Sequence, residues 1–348
     1  MTSFRWLLLA IPVSWALVAL HGPPLAVFAV TGLAVVPLAA AMGQATEVLA
    51  SRTGPAVGGL LNATFGNAAE LILALTALRA GLLELVKASI TGSILGNLLL
   101  ILGLSLVAGG MRRPTLTFNR TAAGMGGAML LLAVVGLVMP ALFAATHPTA
   151  SSPTVVHLSE GVAIVLGLTY AVSLVFSLVT HRNLFTQGGP PAPGGSHGAV
   201  GRAIGMLVVA TVLVAVQSEI LVHTAELLVA RLGWSEMFLG LIVIPLIGNA
   251  AENASAVVVA RKGQTDLALS IALGSSTQVA LFVAPVLVAA GVLVGQPMHL
   301  VFTPFEVVAL GLAALIVTVI ALDGESHWFE GAQLLAVYAI VAVAAWFI

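Results

Sequence analysis

Two copies of the five-residue phrase Gly-Asn-Ala-Ala-Glu contain the residues best able to do chemistry in this sequence. They occupy residues 66–70 and 248–252, each near the middle of an apolar run long enough to cross a bilayer. A glutamate at that depth is costly, so such residues usually face a bundle interior or a water-filled path. Each half of the chain thus has one cluster of side-chain oxygens from Asn and Glu, which predicts a hard cation held between the halves.

Within each copy, the asparagine and the glutamate lie three residues apart, which places them on one face if the segment is helical. The pairs are Asn67 with Glu70 and Asn249 with Glu252. Two carboxylates neutralise one divalent cation such as Ca²⁺, and without the cation they can hold two protons. A nearby cation favours the ionised pair, whereas mutual repulsion disfavours it, so the pair binds metal or protons and seldom both. This competition is the coupling that an exchanger of Ca²⁺ for H⁺ requires.

Further oxygen atoms are needed, because Ca²⁺ takes about six to eight oxygen ligands. Polar stretches follow each phrase at matching positions, since Gly92-Ser93 and Gly274-Ser275 are separated by the same 182 residues as the phrases. Small hydroxyl residues beside glycine are also ordinary packing material between membrane helices. The predicted cation-site residues are Glu70, Glu252, Asn67, Asn249, Ser93, Asn97, Ser275 and Gln278.

A second polar group precedes the second phrase. Glu219, His223 and Glu226 follow one another at intervals of four and three residues, so they share a helix face. They form a predicted proton or cation pathway, with Glu47 as the counterpart in the first half. The alternative is a hydrated helix end at which each glutamate lies near an arginine.

The other acidic residues have simpler interpretations. Glu236 and most of the rest lie at segment ends or in loops, where solvation at the membrane interface accounts for them. Glu306 lies one or two turns inside its segment, as a helix-end residue or a vestibule group.

The composition is that of a polytopic membrane protein. Of 348 residues, 60% are hydrophobic and 7% are charged, and the mean hydropathy is +1.14. Soluble domains average about 25% charged residues. The formal net charge of −1 offers no basic surface for nucleic acid, and the absence of cysteine excludes disulfides and thiolate metal sites. No hydrolase or phosphate-loop motif is present, so we expect neither an enzyme nor an organic cofactor.

The apolar pattern predicts an all-α fold of eleven transmembrane helices. We expect an N-terminal helix within 1–20, a five-helix unit over 24–180, a Gly/Pro-rich linker over 181–200 and a second five-helix unit over 201–348. Because five is odd, the two units must point in opposite directions across the membrane. The predicted segments are about 4–20, 24–50, 56–79, 84–110, 118–140, 155–180, 201–231, 235–260, 264–291, 299–321 and 326–347.

The basic residues predict the orientation of these segments. With eleven crossings, nine arginines and lysines fall on one side and three on the other. The positive-inside rule then places the N-terminus and the central linker in the cytoplasm and the C-terminus outside, as expected in a prokaryotic cell membrane. Membrane lipid is an expected partner, and the sequence leaves open whether the chain forms a homo-oligomer.

At these motifs, the sequence resembles the Ca²⁺/H⁺ antiporters, the cation/proton exchanger family within the Ca²⁺/cation antiporter superfamily. The similarity covers nearly the whole chain after the first helix. It implies a Ca²⁺/H⁺ exchanger with Glu70 and Glu252 as ion ligands and alternating inward-open and outward-open forms. It does not extend to the linker, because many family members have an acidic stretch there and residues 181–202 contain no acid. The motifs that resemble the family are 66–75, 92–100, 180–185, 218–222, 248–252, 274–278 and 323–331.

Two other functions remain open at this point. A Na⁺/Ca²⁺ exchanger of the same superfamily would need more polar ligands, and the position that matches Asn97 in the second half is Val279. A passive divalent-cation channel would use the same oxygen atoms without obligatory exchange. An intramembrane hydrolase lacks a paired-aspartate arrangement, since Asp266 and Asp323 both lie near segment ends.

Overall fold

A computed structural model describes residues 2–53, 55–111, 113–181 and 197–348. Within these residues the chain forms helices, apart from loops, turns and one pair of short strands. Strands β1 (Leu116–Thr117) and β2 (Glu325–Ser326) pair antiparallel. The helices are α1 Ala10–Ala19, α2 Pro24–Thr53, α3 Pro55–Phe65, α4 Ala68–Arg79, α5 Leu83–Gly110, α6 Arg120–Thr146, α7 Ser152–Thr180, α8 His197–Leu232, α9 Glu236–Gly248, α10 Ala250–Arg261, α11 Thr265–Leu293, α12 Pro304–Leu322 and α13 Trp328–Trp346.

Eight single helices among the described residues are long and apolar enough to span a bilayer. Helices α9 and α10 form a further candidate as a pair that is bent by 62°. Helices α1, α3 and α4 have 10, 11 and 12 residues respectively. The prediction of an all-α polytopic membrane protein is confirmed.

Both copies of the repeated phrase interrupt a helix. Asn67 separates α3 from α4 with φ −100° and ψ 23°, and Asn249 separates α9 from α10 with φ −87° and ψ 2°. These angles lie in the bridge region and not in the helical region. The predicted segments 56–79 and 235–260 are therefore each broken at the asparagine of the phrase. Each asparagine precedes the half-helix whose first turn contains the glutamate.

The long helices α5 and α11 contain matching irregularities. A π-helical stretch covers Gly96–Ile101 in α5, and another covers Val279–Val283 in α11. Such stretches widen the helix locally and are frequent at functional sites. Each stretch begins beside residues predicted to line the cation site. The number of residues between the starts of the two stretches equals that between the two repeated phrases, to within one residue.

Two hydrophobic clusters meet at the first phrase. The larger cluster surrounds α5, whose most apolar window is 78% buried, whereas that of α7 is 17% buried and faces outward. The smaller cluster joins α1, α2 and the first half of α8, and it includes Ala68 and Ala69. Leu73 belongs to the larger cluster. Glu70 therefore lies at the boundary between the two packed bodies.

Three predicted boundaries differ from the structure, and the first is the end of α6 at Thr146, beyond the predicted 140. Helix α8 begins at His197, inside the predicted linker 181–200, of which residues 182–196 lie outside the described part. Helix α12 begins at Pro304, later than the predicted 299, because residues 296–303 form a non-helical segment. Three apolar side chains of that segment, at every second position, are buried in the larger cluster, which made the sequence read as a continuous apolar run. They are Met298, Leu300 and Phe302.

Candidate functional site

The two glutamates of the repeated phrases occupy equivalent positions at the starts of half-helices. Glu70 lies in the first turn of α4, and Glu252 lies in the first turn of α10. The N-terminal end of a helix carries partial positive charge, which stabilises an anionic side chain in its first turn. Interrupted helices in a membrane thus give each carboxylate a favourable local field without a neighbouring basic residue.

The two asparagines use their side chains across the protein instead of capping their own helices. Asparagine is a favoured N-cap residue, yet neither side chain makes a capping hydrogen bond. The Asn249 amide donates to the Ser93 hydroxyl at 3.3 Å. In the equivalent contact of the other half, the Ser275 hydroxyl donates to Asn67 Oδ1 at 3.2 Å. Each phrase is therefore joined to the polar stretch of the opposite half.

A chain of side-chain hydrogen bonds connects the remaining predicted residues. The Asn97 amide donates to Ser275 Oγ at 2.9 Å. The Asn67 amide donates to Gln278 Oε1 at 2.5 Å. Asn67, Asn97 and Ser275 are buried. The structure thus joins Asn67, Asn97, Ser275 and Gln278 into one network, and it places Asn249 and Ser93 in a second contact.

The two carboxyl groups approach the same region. A Cβ atom placed on Gly248 would lie 3.4 Å from Cγ of Glu70, so the glycine of the second phrase makes room for the glutamate of the first. Glu70 therefore lies against the second phrase, beside the start of the half-helix that carries Glu252.

Four buried oxygen atoms in this region have no hydrogen-bond partner among the described residues. They are Glu70 Oε2, Glu252 Oε2, Asn249 Oδ1 and Asn253 Oδ1. Buried polar atoms are nearly always paired, and an unpaired one costs about 1–3 kcal/mol. Carboxylate and amide oxygens are ligands that Ca²⁺ prefers, and a carboxylate also accepts a proton. The chemistry of this set suits a cation or protons.

Asn253 is a residue that sequence reasoning missed. It follows Glu252 directly, and its partner position in the first half is Leu71, so a search for matched residues passes over it. Together with Asn97, Asn249 and Tyr338 it lines a small cavity of about 10 Å³. That volume is close to the lower limit for one water molecule.

The predicted pathway residues lie apart from this network. Glu47, Glu219 and His223 are exposed. His223 Nδ1 lies 3.6 Å from Glu226 Oε2. Among the described residues, no hydrogen bond or ion pair joins any of these four to the glutamate pair.

Glu226 does face a larger space, a cavity of about 200 Å³ between α8, α9 and the start of α5. Glu236 lines the same cavity, together with Leu82, Leu85 and Leu239. The interpretation of Glu236 as a merely solvated segment end is therefore incomplete, because its carboxyl group shares a cavity with that of Glu226.

No group of three or more His, Cys, Asp or Glu residues suited to a metal ion occurs in the described ranges. The glutamate pair thus depends on amide and hydroxyl oxygens for any further ligands.

Comparison with known proteins identifies the family. The model for the sodium/calcium exchanger protein family matches residues 23–179 and 202–347. The Ca²⁺/H⁺ antiporter of Aphanothece halophytica is 44% identical over 99% of this chain and 96% of that protein. The Ca²⁺/H⁺ antiporter of Synechocystis sp. is 46% identical over 99% of this chain and 97% of that protein. This chain belongs to the Ca²⁺/H⁺ antiporters of the sodium/calcium exchanger family.

The structural comparison agrees with this antiporter family. The solved structure of native YfkE superposes with a TM-score of 0.87 at 40% identity, over 99% of this chain and 100% of that chain. The resemblance seen in the sequence is confirmed, and the chain is an integral membrane transporter. The family match covers all eight predicted cation-site residues, which lie between residues 67 and 278.

Proposed function

We propose that this antiporter exchanges Ca²⁺ for H⁺ by alternating access, and that the Glu70–Glu252 pair binds either the cation or protons. The observation that supports this most strongly is the set of unpartnered buried oxygens on Glu70, Glu252, Asn249 and Asn253. With both carboxylates ionised, the pair matches the charge of one Ca²⁺. With both protonated, it is neutral and can cross the low-dielectric interior without the cation.

Exchange follows from the requirement that the pair is never both ionised and unoccupied. Two close carboxylates in a low-dielectric interior repel each other by several kcal/mol unless a cation or protons are bound. Reorientation of the ionised, unoccupied pair is therefore slow, whereas the Ca²⁺-bound and the doubly protonated forms both reorient. This cycle moves two protons in exchange for each Ca²⁺.

Eleven membrane crossings are consistent with this site. The eight single spans, the bent pair α9–α10, the broken pair α3–α4 and the N-terminal helix α1 supply them. We assign 1–20 to the first helix, 24–180 and 201–348 to oppositely oriented five-helix units, and 181–200 to the linker between them. The reciprocal contacts of Asn67 with Ser275 and of Asn249 with Ser93 support a pseudo-two-fold axis through the site.

The full ligand set combines the sequence prediction with one addition. The primary ligands are Glu70 and Glu252, which are assisted by Asn249, Asn253 and backbone carbonyl groups near the helix breaks. Asn67, Ser93, Asn97, Ser275 and Gln278 line the site and hold it together through their hydrogen bonds.

The cavity beside Glu226 and Glu236 gives the site an acidic approach. The excess of arginine and lysine on the opposite side orients this cavity outward, with the N-terminus in the cytoplasm of a prokaryotic cell and the C-terminus outside. Glu219 and His223 continue the same helix face, and Glu47 holds the equivalent place in the first unit. Negative charge along an approach raises the local concentration of cations.

Transport in liposomes tests this function. Purified protein is reconstituted, and uptake of radiolabelled Ca²⁺ is followed under an imposed pH gradient, under a Na⁺ gradient and with no gradient. We expect saturable uptake that the pH gradient drives and that the Na⁺ gradient does not drive. Uptake that ignored the pH gradient would contradict proton coupling, uptake driven by Na⁺ would indicate a Na⁺/Ca²⁺ exchanger, and non-saturating flux would indicate a channel.

A further inference from the structure

One face of α5 is polar although it points away from the cation site. Glu84, Lys87 and Thr91 follow one another at three and four residues, so they share that face. Ser93 lies two residues beyond Thr91, which turns it by about 200° around a helix with 3.6 residues per turn. The polar face is therefore on the opposite side of α5 from Ser93 and the site.

Lys87 ties this face to the non-helical segment that precedes α12. Its side chain is only 4% exposed, and Nζ donates to the backbone carbonyl of Val301 at 3.0 Å. The ammonium group also lies 2.7 Å from Oε1 of Glu84. The same segment is fixed from its other side, because the Leu300 amide donates to Ser159 Oγ of α7 at 2.9 Å. Helix α5 is thus braced against α7 through two backbone groups of one loop.

Thr91 makes a second tie from the same face to α12. Its hydroxyl donates to Oε1 of Glu306 at 3.0 Å. Glu306 is 1% exposed, and its Oε2 accepts from the backbone amide and the hydroxyl of Thr303, both at 2.9 Å. A helical threonine commonly donates to the carbonyl four residues earlier in its own helix. The Thr91 hydroxyl instead crosses to another helix.

The adjacent face of α5 is pressed against the helix that leads into the second phrase. A Cβ atom on Gly92 would collide with the backbone carbonyl of Leu241 and lie 2.6 Å from Cγ of Pro245. Both residues belong to α9, which ends beside Asn249. The position of α5 against α9 therefore decides whether Ser93 meets the Asn249 amide, a contact of 3.3 Å.

We propose that Thr91 and Glu306, supported by Lys87, are positioning residues for the cation site. They fix the rotation and the axial position of α5 through contacts on the face opposite the site. Ser93 is thereby held against Asn249, and Asn97 against Ser275. Without the Thr91 hydroxyl, Glu306 Oε1 loses its donor and α5 loses its transverse tie to α12. Ca²⁺ ligands must stay within about 2.3–2.6 Å of the ion, so a shift of α5 that moves Ser93 and Asn97 weakens Ca²⁺ binding. This inference rests on the proposed exchange function at Glu70 and Glu252.

The test compares Thr91→Val with Thr91→Ser in reconstituted liposomes. Valine keeps the shape and removes the hydroxyl, whereas serine keeps the hydroxyl. Thr76→Val is the matched control, because the Thr76 hydroxyl donates within its own helix to the Ile72 carbonyl at 2.9 Å. We expect Thr91→Val to raise KM for Ca²⁺ roughly tenfold with a smaller change in maximal rate. Thr91→Ser and Thr76→Val should each keep KM within about twofold of the wild-type value.

A double-mutant cycle separates positioning from a general loss of stability. If Thr91 acts through Ser93, Thr91→Val should add little to the KM of Ser93→Ala. If Thr91→Val does not fold, Glu306→Gln replaces it in the same cycle, with the same expected non-additivity. A wild-type KM in Thr91→Val, or full additivity with Ser93→Ala, would overturn the positioning role. Failure of the wild-type protein to exchange Ca²⁺ under a pH gradient would instead overturn the underlying function.

Discussion

The side-chain amide of Asn249 donates to the hydroxyl of Ser93 at 3.3 Å, and the internal repeat maps this contact onto that of Asn67 with Ser275 at 3.2 Å. Each contact joins the helix break of one half to the long buried helix of the other. The two contacts hold the glutamates of both phrases in one region, because each glutamate lies three residues after one of these asparagines. A movement that separated the halves would break both contacts together.

Replacement of either glutamate by glutamine should abolish exchange. The amide resembles a protonated carboxyl group in shape, so the fold should remain intact, but Glu70→Gln or Glu252→Gln leaves one negative charge for a divalent cation. The measurement is Ca²⁺ uptake under a pH gradient, with size-exclusion profiles to check folding. Glu160→Gln is the control, because Glu160 contacts exposed His157 at 2.9 Å outside the site. Uptake at the control level in either glutamine variant would remove that carboxylate from the mechanism.

Asn253→Leu should weaken Ca²⁺ binding without abolishing exchange. The substitution places at Asn253 the residue found at the equivalent Leu71, and it removes one unpartnered oxygen from the site. Loss of one ligand to a charged ion corresponds to about 1.5 kcal/mol or more, or at least roughly tenfold in KM. Concentration dependence of Ca²⁺ uptake measures this effect. An unchanged KM would show that the Asn253 side chain does not contact the ion.

Gly92→Ala should destabilise the protein, whereas Gly96→Ala should not. A Cβ atom at Gly92 meets the backbone of Leu241, which cannot yield, but a Cβ atom at Gly96 has nothing within 4 Å. Overpacking of this kind typically costs about 1–3 kcal/mol. Thermal unfolding of the detergent-solubilised variants, followed by loss of helical circular dichroism, compares the two. Equal unfolding temperatures would contradict the close approach of α5 and α9.

The stability of the protein should fall on mild acidification because of His299. Burial and the Lys87 ammonium lower the pKa of His299 below its usual 6.5. Its Nδ1 accepts from the Val301 amide at 3.3 Å, which requires the neutral ring. The unfolded state therefore takes up a proton before the folded state does. The stability contribution of His299 is complete above pH 6.5 and is lost as the pH falls toward its folded pKa.

The His299→Gln variant measures that contribution, since glutamine cannot be protonated in this range and still offers an oxygen to Val301. We expect its unfolding temperature to fall less than that of the wild-type protein between about pH 7 and pH 5. His157→Gln is the control, because the His157 side chain is 75% exposed. Parallel pH profiles for the wild-type protein and His299→Gln would contradict the role of His299.

The sequence singles out Glu70 and Glu252 because bilayer depth leaves few interpretations for a glutamate. The hydrogen bonds among Asn67, Ser275 and Gln278 follow the same logic, since polar side chains in an apolar interior must find one another. The sequence did not place the helix breaks at Asn67 and Asn249. Whether an asparagine side-chain amide bonds to a residue of the other half depends on tertiary packing, which local spacing in the sequence does not reveal.

Other residues escaped prediction for specific physical reasons. Asn253 has no polar equivalent in the first half, so the repeat could not reveal it. Glu306 is a helix-end residue, one of its two predicted interpretations, because it forms a capping box with Thr303 at the start of α12. The hydrogen bond that it accepts from Thr91 on another helix was not predicted, since it depends on how α5 and α12 pack. The start of α12 was placed too early because an extended segment with alternating buried side chains has the same apolar composition as a helix.

Proton release on Ca²⁺ binding is the most direct test of whether one pair of carboxyl groups holds either ion. Purified protein in weakly buffered detergent solution, at a pH where the pair is protonated, is titrated with Ca²⁺ while a pH indicator and calorimetry record protons and binding together. We predict about two protons released for each Ca²⁺ bound, and no release from a protein that combines Glu70→Gln with Glu252→Gln. Stoichiometric Ca²⁺ binding without proton release, or release that persists in the double variant, would contradict the shared site.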